Sequence, residues 1–99
     1  MTIKQFMANF NRRSSSRLVQ DMKAYNIKGR RVCAESCPIH NLISTELSKK
    51  GIGVEFISVN SGNTLFMDAS RRMFTVPNSK AIEQFVIDFD AGKYPQLVK

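Results

Sequence analysis

At 99 residues and 42% apolar content, the chain makes one domain with enough apolar surface for a modest core, so folding needs no disulfide staple or structural metal. A net charge of +7 points to an acidic partner: nucleic acid, an anionic membrane surface or an acidic protein. No run of about eighteen apolar residues is present to span a membrane, residues 1–20 lack the apolar stretch of a secretory signal, and two cysteines fit a reducing, cytoplasmic setting.

Thr2 can cap a first short helix, in which Ile3, Phe6, Met7 and Phe10 recur at helical spacing. The run Asn11 to Ser16, NRRSSS, breaks that pattern and supplies serines to cap a second helix. The second stripe is Leu18, Val19, Met22 and Tyr25, ending near Asn26. Phe6, Phe10 and Tyr25 could stack on bases, but their spacing favours a place in the core. Residues 1–20 are also Arg-rich, Ser-rich and acid-poor, as organelle transit peptides are, and their stripe would suit a membrane-surface helix; docking on a core explains the stripe equally well. Ile27 to Val32 contains Gly29 and reads as a loop or a short edge strand.

The centre of the chain is Cys37 to Gly51. Pro38 fits a first helical position, where its missing N–H costs nothing. Ile39, Leu42, Ile43 and Leu47 form one apolar stripe, Lys49 and Lys50 suit the last turn, and Gly51 supplies a left-handed cap. Val54 to Asn60 is apolar on both faces, with Val54 and Phe56 on one and Ile57 and Val59 on the other, which predicts a central or doubly covered strand. Asn60 to Asn63 is a turn signal, Thr64–Asp68 a second strand and Arg72–Val76 a third. Pro77 stops the ladder, and Asn78 or Ser79 caps a last helix with Ile82, Phe85, Val86 and Phe89 on its stripe and Gly92 at its end. The tail 93–99 reads as extended. The expected fold is α+β: a three-stranded antiparallel meander carrying the Cys37 and Ile82 helices, preceded by one or two basic helices within residues 1–32.

The charge is unevenly placed. Residues 1–32 hold Lys4, Arg12, Arg13, Arg17, Lys23, Lys28, Arg30 and Arg31 against Asp21 alone, whereas residues 33–99 carry seven bases and seven acids. The basic face predicts either phosphate contacts or plain solvation. Arg12, Arg13, Arg17, Lys23, Arg30 and Arg31 are the expected nucleic-acid contacts, because they flank the apolar stripes or sit in loops.

Signals for catalysis are poor. Cys33, Cys37 and His40 form C-x3-C-x2-H, an incomplete zinc set with no second Cys/His pair. Cys37 with His40 is the only local nucleophile–base pair; at a helix start the dipole would favour the thiolate, but a small helix-start residue is the simpler reading. No Gly-rich phosphate loop and no convincing acid/base pair of carboxylates occurs. The reading is a non-enzyme with no cofactor and no metal.

From Cys37 onward the chain resembles small accessory proteins of bacteriophages and some bacteria. The residues that carry the likeness are Cys37-Pro38, Val54 to Asn60 with the Ser61-Gly62 turn, Val76-Pro77, Phe85-Val86, and Phe89 to Gly92. It covers about two-thirds of the chain; the basic segment 1–32 lies outside it and reads as an addition. The resemblance implies a phage or prophage accessory protein, with no general activity to carry over. Two functions are expected. The first is non-enzymatic nucleic-acid binding through the basic N-terminal face, in the host cytoplasm if phage-encoded. The alternative is a protein-binding module that inhibits or redirects a host factor through exposed apolar edges of the N-terminal helices or the meander.

Overall fold

A computed structural model describes residues 1–99. Helix α1, Ile3–Phe10, opens with a capping box: the Gln5 N–H donates to Thr2 Oγ1 at 3.1 Å, and the Thr2 N–H donates to Gln5 Oε1 at 2.8 Å. Its stripe of Ile3, Phe6, Met7 and Phe10 is buried, with the Phe6 and Phe10 rings stacked at 5.6 Å. Helix α2, Ser15–Ala24, is capped by Ser14 and buries Leu18 and Met22. These residues join one cluster of twenty buried apolar residues running from Ile3 to Leu97. Residues 1–32 are therefore part of the core, although they lie outside the stretch that carries the resemblance.

Tyr25 departs from the expected stripe. It is exposed, with the Lys49 ammonium 5.2 Å from its ring centroid. The cause is the helix end. Asn26 takes a positive φ of 55°, its N–H donates to the Lys23 carbonyl, and the Ile27 N–H donates to the Met22 carbonyl at 2.8 Å. This Schellman closure reverses the chain and buries Ile27 in the place predicted for Tyr25. Gly51 and Gly92, with φ of 69° and 85°, close the later helices at the same left-handed position.

Helix α3, Pro38–Lys49, follows Cys37, and helix α4, Lys80–Asp90, follows Ser79. Each buries its predicted stripe. Strands β1, Val54–Val59, β2, Asn63–Asp68, and β3, Met73–Pro77, form an antiparallel sheet in that order, so the α+β meander is as expected. The central strand is β2, not β1. The register Ile57–Phe66–Phe74 and Val59–Thr64–Val76 defines the covered face, where Ile57, Val59, Thr64 and Phe66 are buried. The opposite row Phe56–Met67–Met73 faces outward, with Phe56 and Met73 exposed. Apolar residues on both faces of β1 thus reflect one open face and not a second layer.

Two long-range ties complete the fold. Asn11, at the end of α1, donates from Nδ2 to the Pro77 carbonyl at 3.1 Å and accepts the Ser79 N–H at 3.0 Å, fixing the α1–α2 turn to the β3–α4 junction. The tail is not simply extended: Pro95–Leu97 forms a 3-10 turn and Leu97 is buried. Its backbone closes on buried Gly29, whose N–H donates to the Leu97 carbonyl at 2.8 Å and whose carbonyl accepts the Lys99 N–H at 2.9 Å. The apolar Leu97 and Val98 give the tail a reason to dock that outweighs its short length.

Candidate nucleic-acid interface

The turn between α1 and α2 carries a recess of about 510 Å³ lined by Asn9, Arg12, Arg13, Ser14 and Arg17, with no apolar side chain in its wall. Three of the expected contacts meet there because Asn11 anchors the turn and Ser14 caps α2. Its backbone N–H groups add the positive end of the helix dipole to the arginine charge.

The three arginines differ. Arg12 is exposed and has no carboxylate partner. Arg13 does not point outward as expected. Its Nη1 and Nη2 each lie 2.6 Å from an oxygen of Glu46 on α3, and Nη1 is also 3.0 Å from Asp21 Oδ2. Its guanidinium lies 4.7 Å from the Phe10 ring centroid. The hydrogen bonds that Arg13 donates to Glu46 hold its pKa above the ordinary range, with desolvation opposing them and the Glu46 and Asp21 charges adding to them. Glu46 is buried and needs this partner, so Arg13 clamps the helices together and its charge is already matched. Arg17 donates from Nε to both Asp21 oxygens, yet its side chain stays 59% exposed.

The other predicted contacts lie outside the recess. Lys23 is exposed in the last turn of α2. Arg30 and Arg31 are exposed in the loop after Gly29, and Arg31 donates from Nε and Nη2 to the Asp90 carbonyl at the end of α4. Lys4 and Lys28 belong to the same exposed basic third; the charge count contains them, but neither is among the expected contacts. Of the eight bases in residues 1–32, only Arg13 and Arg17 form salt bridges.

Cys37 caps α3: its Sγ accepts the His40 N–H at 3.4 Å. Burial pushes the thiol from 9.0 up to about 11, outweighing the amide hydrogen bonds of His40 and Ile39 that favour the thiolate. Cys33 is half-exposed, and both cysteines are free thiols. The His40 ring nitrogen Nδ1 lies 3.0 Å from Asn41 Oδ1, and no three His, Cys, Asp or Glu side chains converge to hold a metal. The apolar stripes of the N-terminal helices are buried; the large apolar side chains left exposed are scattered, with Phe56 and Met73 on the meander, Met1, Tyr25 and Val32 in the N-terminal third and Ile87 on α4. No helix is long and apolar enough to cross a membrane.

Comparison of the chain with protein-family models, with curated proteins and with solved structures found no match.

Proposed function

We propose that this protein is a non-enzymatic nucleic-acid-binding accessory protein that holds the phosphate backbone on its N-terminal third. One observation carries the reading. Lys4, Arg12, Lys23, Lys28, Arg30 and Arg31 are all exposed and form no salt bridge, while the one acid of that third, Asp21, is occupied by Arg13 and Arg17. Exposed cations that form no salt bridge can replace the counterions of a polyanion.

Arg12 of this set, together with the outer nitrogens of Arg17, lines the recess at the amino end of α2 and forms the phosphate seat. Arg13, paired with Glu46, ties the turn that carries this seat to α3. Contacts of this kind position a protein on the backbone and do not read sequence. The direct test is fluorescence anisotropy with labelled DNA duplexes of unrelated sequence. Binding should vary little between sequences and weaken steeply with salt, by roughly 0.9 log units per log unit of salt for each phosphate neutralised. Absence of binding to DNA or RNA at low salt would end this reading.

A further inference from the structure

We propose that the free edge of β1 docks an extended, basic peptide segment of a partner protein. Strand β1 is paired on one side only, by β2. The Val59 N–H points the other way and donates to the Ala34 carbonyl at 2.8 Å, so the loop before α3 supplies one rung of a fourth strand and then leaves the edge. Backbone direction alternates along a strand. The N–H and C=O of Ile57 therefore also face this edge, and no loop or side chain of the protein supplies them with a partner.

Ile57 lines a recess of about 280 Å³ beside this edge. His40 and Ser44 of α3 line one side, and Glu35 and Glu55 add carboxylates to its lining. Ile57 is only 4% exposed, with its side chain on the covered face of the sheet beside Phe66. A strand laid there would continue the rung begun by Ala34 and pair the Ile57 N–H and C=O.

Charge selects the occupant. Of the chain's eight acids, Asp21, Glu46 and Asp88 are in salt bridges, and Asp68 and Asp90 accept backbone amides. Glu35, Glu55 and Glu83 remain, and two of these three line this one recess. An otherwise basic protein thus carries unmatched carboxylates along an open strand edge, which favours lysine or arginine on the incoming segment and disfavours a second acidic chain.

The probe is a blocked seven-residue peptide of alternating valine and lysine or arginine, titrated into the full-length ¹⁵N-labelled protein. Binding should shift the Ile57 amide resonance and slow its hydrogen exchange. The double variant Glu35→Lys, Glu55→Lys changes only exposed side chains and should weaken binding at least about tenfold. A peptide N-methylated on alternate backbone nitrogens should lose binding, because it cannot extend the ladder. Three results would each overturn the proposal: no binding, unchanged exchange at Ile57 when the peptide binds, or equal affinity for the charge-reversed variant or the N-methylated peptide.

Discussion

Arg13 and Glu46, thirty-three residues apart in sequence, form a two-pronged ion pair with both N–O distances at 2.6 Å. The pair ties the α1–α2 turn to α3, and Glu46 is 8% exposed. Removing the cation leaves a shielded carboxylate without its counter-charge. Arg13→Ala should therefore cost roughly 3 kcal/mol of unfolding free energy. Arg12→Ala, one position away and exposed, should stay within about 0.5 kcal/mol of wild type. Urea unfolding of the two variants checks both; equal stabilities would show that Arg13 is a surface residue.

Phe85 sits at 1% exposure, stacked on Phe89 at 6.2 Å and on Tyr94 at 4.7 Å. Phe85→Ala removes the centre of that stack and should cost about 3–5 kcal/mol, a large share of the stability of a domain this size. An unchanged melting temperature would mean that α4 does not pack on the core through this face.

Gly29 is where the C-terminal tail closes on the loop before α3. A Cβ placed there would lie 2.5 Å from the Pro38 nitrogen and from the Ser36 carbonyl oxygen. Both are backbone atoms, so no side chain can swing aside. Gly29→Ala should destabilise by roughly 1–3 kcal/mol and release the tail, visible as faster hydrogen exchange at Gly29 and Lys99. Retained protection at those amides would show that the contact yields easily.

Helix stripes are the most legible part of this sequence. Ile3, Phe6, Met7 and Phe10, and likewise Ile82, Phe85, Val86 and Phe89, announce a buried face because helical period alone determines which residues share it. Periodicity does not show where the chain turns off a helix, so Asn26 diverts Tyr25 to solvent and puts Ile27 inside. Nor does it show which sheet faces are covered: Phe56 looks like a core residue until the register places its row with Met67 and Met73 on the open face. Long-range pairing is the least legible. Nothing in NRRSSS distinguishes Arg13 from Arg12, because the deciding partner, Glu46, is supplied by another helix. The same holds for the tail, whose partner is the backbone of Gly29. The overall basic charge of the N-terminal third is legible; how much of it is already matched is not.

Cys37 and Cys33 should differ sharply in reactivity. Burial keeps the Cys37 thiol protonated up to about 11, whereas Cys33 is half-exposed. Iodoacetamide at mildly alkaline pH should label Cys33 and spare Cys37, as read by peptide mass spectrometry. The raised pKa also has a stability consequence. The folded state retains a proton that the unfolded chain releases, so this contribution is intact below the ordinary thiol pKa of 9.0 and is lost as pH rises toward about 11. Cys37→Ala should flatten the decline of melting temperature across that window. Rapid labelling of Cys37 in the native protein, or an identical decline in the variant, would contradict the buried-thiol account.

The most direct measurement of the central claim is the salt dependence of DNA binding by wild type, Arg12→Ala/Arg17→Ala and Arg13→Ala. If the phosphate seat lies at the amino end of α2, the double variant should make the log–log slope shallower by roughly one to two units while changing the melting temperature little. Arg13→Ala should do the reverse, lowering the melting temperature while leaving the slope of the folded fraction nearly unchanged. A wild-type slope near zero, or a double variant with the wild-type slope, would contradict the account.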